Sequence, residues 1–172
     1  MAETNQPRKI IVHHTADPSN GNQFEKVNEY HKQRWNFASS IGFYAGYHYI
    51  IEKDGKVMRA REDDEEGAHT KMHNKESIGI GLAGNFDYQT PTANQTLALV
   101  KLIDSLVKKW QIPATEIYPH RKFAPTSCYG IVLLDDWAKN EYRSYLIANL
   151  IHIITILKAI LEKILSYVSK KQ

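Results

Sequence analysis

The sequence predicts an α/β fold in which a mixed central β-sheet is flanked by helices and followed by a long C-terminal amphipathic helix. Short β-branched or apolar runs predict strands, and they alternate with segments whose apolar residues recur every three or four positions, as in helices. Asp54-Gly55 is a strong signal for a tight turn, so one pair of strands is expected to be an antiparallel hairpin. Helices interleaved with the other strands favour parallel pairing, which makes the sheet mixed.

Five strands and three helices are expected along the chain. The strands are predicted at residues 9–13, 47–52, 56–59, 77–82 and 116–119. The helices are predicted at residues 22–35, at residues 92–110 and from about Trp137 onward. Asp135 or Asp136 could cap the last helix, because a short acidic side chain accepts hydrogen bonds from the first free backbone N–H groups.

Two stretches within this pattern have unusual composition. Gly79 and Gly81 leave one face of the fourth predicted strand bare, so we expect another backbone or a ligand to come close there. The run of charged residues at 61–66 is typical of a solvated loop.

Charge and composition divide the 172-residue chain into one domain, residues 1–140, and a C-terminal helix, residues 141–172. The C-terminal part holds five of the 22 basic and two of the 19 acidic side chains, which leaves 17 of each in the first part. A nucleic-acid footprint needs basic side chains clustered on one face, so no nucleic-acid partner is expected. The N-terminal residues are polar and predict no secretory signal, which indicates a cytoplasmic protein on synthesis.

Cys128 is the only cysteine, and it follows His120 by eight residues. His13 stands at the end of the first predicted strand. A lone cysteine taken by itself is more often an inert buried residue than a ligand. However, a thiolate and imidazoles are good zinc ligands, and catalytic zinc sites take three protein ligands and keep a fourth position open. The motifs around these residues favour the zinc site.

Six short motifs occur in order within residues 8–138. They are Ile11-Val-His-His-Thr-Ala16, Tyr30-His-Lys-Gln-Arg-Trp35, Gly46-Tyr-His-Tyr-Ile50, Gly67-Ala-His69 with Asn74-Lys-Glu-Ser-Ile-Gly-Ile80, Gly84-Asn-Phe86, and the spacing from His120 to Cys128. This series resembles the zinc-dependent N-acetylmuramoyl-L-alanine amidases, a family that includes phage amidases and the peptidoglycan recognition proteins. Any one motif is weak, and the six together make the resemblance strong.

The resemblance implies that His13, His120 and Cys128 hold a zinc ion. It implies cleavage of the amide between the lactyl group of N-acetylmuramic acid and L-alanine of the stem peptide. Zinc would activate a water molecule for this attack. Tyr47 matches the family's catalytic tyrosine and would help to stabilise the oxyanion.

The sequence departs from the family at two places near the cysteine. Thr126 stands where phage enzymes often have a catalytic lysine, and its hydroxyl could donate a hydrogen bond to the substrate carbonyl. The family's Cys-Pro-Gly is replaced by Cys128-Tyr-Gly130, so the loop after the ligand is expected to differ.

Two further residues are candidates for contact with the substrate. His69 matches a family position that lines the substrate groove. Trp35 could stack on a glycan ring, or it could pack in the core, as such aromatic residues more often do. Of the other histidines, His14 should point to the opposite face of its strand, His31 should lie on the core face of its helix, and His48 should face away from its tyrosine neighbour.

The resemblance implies a peptidoglycan hydrolase of the phage endolysin type, with peptidoglycan as its partner and action on the cell wall after release. A peptidoglycan-binding module without catalysis is one alternative, but relatives that have lost catalysis typically lose the cysteine ligand, and Cys128 is present. A cytoplasmic muropeptide-recycling amidase is another, and those enzymes usually carry Asp at that position.

The C-terminal helix has a wide apolar face. Residues 146–168 contain no Gly or Pro and 16 apolar residues out of 23, which predicts a helix about 35 Å long. One seam at alternating spacings of four and three is formed by Leu146, Leu150, Ile153, Leu157, Ile160, Ile164 and Tyr167. A second seam is formed by Ile147, Ile151, Ile154, Leu161, Leu165 and Val168. A face this wide is too large to leave in water.

Two hypotheses account for this apolar face. The heptad register favours a bundle that joins several copies of the chain into a homo-oligomer. The alternative is an amphipathic helix that lies in a membrane surface. A membrane-spanning role is disfavoured by Lys158, Glu162 and Lys163, because each charge at the centre of a spanning helix costs about 2.5–3.5 kcal/mol.

Overall fold

The computed structural model describes residues 4–170 and confirms the predicted fold class. Its strands are β1 (Lys9–His14), β2 (Tyr49–Ile51), β3 (Val57–Arg59), β4 (Ser77–Leu82) and β5 (Ile117–Pro119). Its α-helices are α1 (Gln23–Trp35), α2 (Ala93–Trp110) and α3 (Trp137–Ser169), and a 3-10 turn at His120–Lys122 follows β5.

The five strands form one mixed sheet in the order β3-β2-β4-β1-β5. Strand β1 runs parallel to both of its neighbours, β4 and β5, and β2 is parallel to β4. Only β2 and β3 are antiparallel, as the hairpin signal predicts, and Gly55 in their turn has a φ of 91° that favours glycine. Because parallel strands end at the same edge, the residues that follow β1 and β5 come together there.

The first two helices begin at well-defined caps. The side chain of Asn22 accepts a hydrogen bond from the Glu25 N–H at the start of α1. Thr92 and Gln95 form a reciprocal capping box at the start of α2. Helix α3 begins at Trp137 as predicted, and Asp136 occupies the cap position, although its side chain makes no capping hydrogen bond.

The core lies on both faces of the sheet. The largest cluster joins the central strands to α2, and its fully buried members include Val12, Ile80, Leu99 and Ile103. A smaller cluster lies under α1 and contains Phe24, Val27, Ala45, Ile50 and Ala60. Burial on both faces explains why β1 and β4 are apolar along almost their whole length.

The charge run at 61–66 is a loop, but only its exposed Asp64 is fully solvated, so the prediction of a solvated loop is wrong for three of its six residues. Arg61, Asp63 and Glu65 are 0%, 2% and 6% exposed. The Arg61 guanidinium donates to backbone carbonyls, Asp63 accepts from the Tyr49 hydroxyl at 2.5 Å, and Glu65 accepts from the Ser40 N–H at 2.8 Å. Their burial is tolerated because each charged group has several hydrogen-bond partners.

The bare face of β4 is also filled differently from the prediction. A Cβ at Gly79 would lie 2.5 Å from the His69 ring, and one at Gly81 would lie 3.0 Å from the Tyr47 ring. Side chains of this chain, rather than another backbone or a ligand, therefore occupy the space that the two glycines leave. Both side chains belong to the site described below.

Helix α3 crosses the predicted boundary at residue 140 without a break. Ala138 and Tyr142 are buried, while every residue from 146 to 170 is exposed; we call residues 4–145 the body and residues 146–170 the tail. By length and composition α3 could cross a membrane, since an 18-residue window within it reaches a mean hydropathy of 1.8 and is 0% buried. The division of the chain into two parts stays a prediction.

Candidate functional site

Three side chains with metal-binding atoms meet where β1 and β5 end. Val12 pairs with Pro119, so His13 and His120 are the next residues along two adjacent strands, and their ring centroids are 4.5 Å apart. The loop after the 3-10 turn brings Cys128 next to these two histidines. The ligand atoms of these three residues all lie within 4.8 Å of one another, and Cys128 Sγ is 3.7 Å from His13 Nδ1.

This donor set fits a zinc ion. With bonds of about 2.3 Å to sulfur and about 2.0–2.1 Å to nitrogen, a tetrahedral ion would hold the two atoms about 3.6 Å apart. The observed separation of 3.7 Å between Cys128 Sγ and His13 Nδ1 is close to that value. Two imidazoles and one thiolate are also ligands that zinc prefers, and three protein ligands leave one position for water or substrate.

Burial sets the protonation of the three groups. Burial and the neighbouring His69 hold the pKa of His13 well below its usual value, and burial lowers the pKa of His120. Both imidazoles are therefore neutral at pH 7 and keep a lone pair for a metal. Burial raises the pKa of Cys128 to about 12, so without a cation beside it this side chain is a thiol.

The Cys128 loop is fixed by hydrogen bonds at several points. The backbone N–H of His14 donates to Cys128 Sγ at 3.4 Å, and the N–H of Arg121 donates to the Cys128 carbonyl at 2.7 Å. Tyr129, which replaces the family's proline, is fully buried, and its hydroxyl donates to the Asp135 carbonyl at 2.8 Å. The Thr126 hydroxyl accepts from the Cys128 N–H at 3.2 Å. The ligand is thereby held in position by its own loop.

His69 lies directly behind His13. Its Nδ1 is 3.1 Å from His13 Nε2 and 3.0 Å from the Thr70 hydroxyl, and its Nε2 is 3.4 Å from the Ser77 hydroxyl. When His13 uses Nδ1 toward Cys128, its Nε2–H can donate to His69. Such a contact fixes the tautomer and the ring orientation of a metal-binding histidine.

An open groove of about 620 Å³ leads to these residues. Tyr47 stands on one wall, with its ring centroid 5.0 Å from that of His13, and burial raises the pKa of its hydroxyl. That hydroxyl has no hydrogen-bond partner among the described residues. Trp35, at the end of α1, is 46% exposed and also lines the groove.

Comparison with known proteins identifies the family. A sequence profile described as N-acetylmuramoyl-L-alanine amidase matches residues 3–131. The chain belongs to this amidase family.

Individual relatives agree with the profile. The endolysin of Klebsiella phage KP32 is 36% identical over 99 residues, which cover 56% of this chain and 66% of that protein. Peptidoglycan-recognition protein 2 of Holotrichia diomphalia is 30% identical over 131 residues, covering 72% and 67%. The solved structure of the amidase LysC from Clostridium intestinale URNW aligns with a TM-score of 0.68 at 30% identity, over 83% of this chain and 86% of that one. The expected class of function, peptidoglycan hydrolysis, is confirmed.

The amidase brings most of the predicted site residues together. The three expected ligands, Tyr47, His69 and Trp35 all line or adjoin the groove. Thr126 does not line it, because its hydroxyl is turned toward the backbone of Cys128. The roles of these residues stay predictions.

The side chains of three other histidines point in the directions that their positions in strands and helices predict. His14 points away from the groove and accepts from the Phe86 N–H at 3.0 Å. His48 faces away from Tyr47 and accepts from the Gly79 N–H at 3.0 Å. His31 is buried, as expected, and its Nδ1 accepts from the Gly46 N–H at 2.8 Å.

Sequence reasoning missed three residues of the amidase groove. His31 lies between Trp35 and Tyr47, with ring centroids 4.4 Å and 5.6 Å away, and its position four residues before Trp35 on α1 was the signal available. Asn74 Oδ1 accepts from the backbone N–H groups of His69 and Thr70 and so shapes the second wall. Exposed Lys71 on the same wall adds a positive charge that no motif indicated.

Proposed function

We propose that this chain is a zinc-dependent amidase that hydrolyses the bond between the lactyl group of N-acetylmuramic acid and L-alanine, as a phage-type endolysin. The observation that carries the proposal is the meeting of His13, His120 and Cys128 beside an open groove that the two histidines line. A structural zinc site is closed, whereas an open groove gives a substrate access to the fourth coordination position. A zinc ion held there would supply a Lewis acid and activate water at neutral pH.

Tyr47 is the residue best placed to stabilise charge on the substrate. Its raised pKa keeps the hydroxyl protonated, so it acts as a donor. The hydroxyl has no other partner among residues 4–170 and stands on the groove wall beside His13. A hydrogen bond to the carbonyl oxygen strengthens as negative charge develops there, and this lowers the barrier.

Thr126 has a smaller proposed role. Its oxygen accepts from the Cys128 N–H, and this contact orients the loop that presents the thiolate. The hydroxyl hydrogen stays available, but Thr126 does not line the groove, so donation to the substrate is a secondary proposal that requires this side chain to turn toward the groove.

His69 and Trp35 act on different partners in this proposal. His69 is only 9% exposed and is bonded to His13, so we assign it mainly to positioning that ligand. The exposed Trp35 face, at the groove wall, is available to stack on a sugar ring or a peptide group. No carboxylate lines the groove in the described part of the chain, so no side chain is assigned as the general base.

Binding without hydrolysis is the second candidate function. A solved structure of peptidoglycan recognition proteins LCa and LCx contains bound tracheal cytotoxin, and this chain aligns with it at a TM-score of 0.68 and 26% identity. Cys128 and its supporting loop favour hydrolysis, because a pure binding groove has no need of a buried thiol beside two imidazoles. A muropeptide-recycling amidase is a third candidate, and Cys128 argues against it because those enzymes usually carry Asp there.

Digestion of purified sacculi, followed by mass analysis of the products, tests the proposal. The expected products are free stem peptides that start with L-alanine, together with intact glycan chains. New reducing sugar ends would indicate a glycosidase and overturn the assignment of the bond. Binding to sacculi without any released product would favour the recognition function.

The site of action is proposed from the phage relatives. Phage endolysins reach the cell wall after release from the cytoplasm, and we propose the same route for this chain. Expression in a bacterial host with and without a membrane-permeabilising agent tests this, and lysis is expected only when the agent is present.

A further inference from the structure

The tail carries a large surface that no described residue covers. Its fourteen large apolar side chains are each between 38% and 60% exposed. If each presents roughly half of its area, they offer on the order of 1,000 Å² per chain, and a standard protein interface buries about 800 Å² per partner. Soluble monomers rarely leave a continuous patch of this size in water.

The arrangement of these side chains has a heptad register. The a positions are Leu150, Leu157 and Ile164, and the d positions are Leu146, Ile153, Ile160 and Tyr167. The neighbouring e positions are also apolar: Ile147, Ile154, Leu161 and Val168. Leucine at a with isoleucine at d favours three- and four-stranded coiled coils over dimers, and apolar e positions widen the buried face further.

The polar residues fit the same register. Lys158, Glu162 and Lys163 occupy positions b, f and g, so none of them interrupts the a, d or e columns. Thr155 and Ser166 fall on the opposite side of the helix at f and c. The charged groups can therefore stay in water while the a, d and e columns are buried, with Ile151, Ile156 and Leu165 at the flanking b and g positions.

We propose that the tail is an oligomerisation surface whose partners are the tails of two or three further copies of this chain. The occupant is a second copy because the apolar face complements itself in length and register along the whole tail. In the assembly each tail contributes one helix of a three- or four-helix bundle, and each body lies outside the bundle, at one end of its tail.

A lipid surface fits the tail less well. A helix lying on an anionic membrane usually carries Lys and Arg along its polar face. Residues 146–157 carry no charged side chain, and their polar face consists of Asn149, His152 and Thr155. A helix that spans a membrane through the most apolar part of α3 would place Lys158 in lipid, at about 2.5–3.5 kcal/mol if the charge lies near its centre, whereas position b of the bundle leaves that charge in water.

Two matched variants of the full-length chain test the proposal. Leu157→Glu places a charge at an a position, and Thr155→Glu places the same charge two residues away at f. Multi-angle light scattering in detergent-free buffer should give the wild type the mass of three or four chains. Leu157→Glu should reduce the mass to that of one chain, and Thr155→Glu should leave it unchanged. Normal zinc content in both variants shows that the body is folded.

Flotation with vesicles distinguishes binding to further copies of the chain from binding to a lipid surface. Vesicles of phosphatidylcholine alone and with phosphatidylglycerol are each mixed with the wild type. The proposal expects the oligomer to stay in the protein fraction with both. A wild-type monomer or dimer, a protein soluble only in detergent, or a chain that floats with the vesicles as a monomer would each overturn it.

Discussion

The body and the tail differ in how far their side chains are buried. In the body even charged groups are buried, and each finds partners: Arg61 donates to three carbonyls and Asp63 contacts Tyr49, Lys109 and Trp110. In the tail even Leu and Ile are exposed. The body has a buried core that contains the site, whereas the tail has an exposed apolar face, so we predict that the body folds without the tail and that the tail is covered by a partner. Changes in one region should leave the other intact.

The largest expected effect is loss of the metal. Cys128→Ala removes the thiolate and leaves two imidazoles, so zinc should fall from about one equivalent to a trace and hydrolysis should disappear. Elemental analysis of protein purified without added metal measures this, with Ser127→Ala as the neighbouring control. The oligomer should persist in both variants. Full zinc occupancy in Cys128→Ala would contradict the ligand assignment.

A change at Tyr47 should separate chemistry from metal binding. Tyr47→Phe removes one hydroxyl and little volume, and turnover should fall about 100- to 1000-fold because an oxyanion donor is lost. Zinc content and sacculus binding should be unchanged. Tyr44→Phe is the matched control. If turnover by the Tyr47 variant equals that of wild type, Tyr47 is a packing residue.

The hydrogen bond between His69 and His13 should increase the affinity of the site for zinc. His69→Ala should weaken zinc binding about 10- to 100-fold, as loss of a hydrogen bond to a ligand typically does. His69→Asn keeps a short side chain with an acceptor and should recover part of the loss. Competition with a chelator measures both. Wild-type zinc affinity combined with weaker substrate binding would instead support direct contact between His69 and the substrate.

A smaller effect is expected at Thr126. Thr126→Val removes the acceptor for the Cys128 N–H, and a neutral hydrogen bond is worth about 0.5–1 kcal/mol, which corresponds to about a two- to five-fold fall in turnover. Thr126→Ser keeps the hydroxyl and should behave as wild type. A loss as large as that of Tyr47→Phe would show that Thr126 contacts the reacting carbonyl.

The smallest effect on chemistry should come from removing the tail. Deletion of residues 146–172 spares Tyr142, which is buried. Zinc content and turnover of a soluble muropeptide should be unchanged, while the mass in solution falls to one chain. A truncated protein that loses zinc would break the proposed independence of the two regions.

The zinc ligands could be predicted because they depend on strand ends and on local spacing. His13 is the penultimate residue of β1, and the chain that follows β5 brings His120 and Cys128 to the neighbouring position. The hairpin and both capped helices were predictable for the same reason, since turn and cap signals lie within a few residues of one another.

The wrong predictions concern contacts between residues distant in the sequence. Arg61 in the charge run is buried because the carbonyls of Phe37 and Ala45 are available to it, and nothing local indicates this. The glycines of β4 make room for His69 and Tyr47, which reach them from two other segments. The bond between His69 and His13 likewise joins residues 56 positions apart.

Arg61 joins two segments that lead into the groove. Its Nε donates to the Ala45 carbonyl at 2.8 Å and its Nη1 to the Glu66 carbonyl at 3.3 Å. Ala45 comes two residues before Tyr47, and Glu66 comes three before His69, so one guanidinium links the segments that carry these two groove residues. A lysine has a single nitrogen and could not bridge the two. Two segments of the groove are therefore tied together by a side chain that is fully buried and that no substrate can touch.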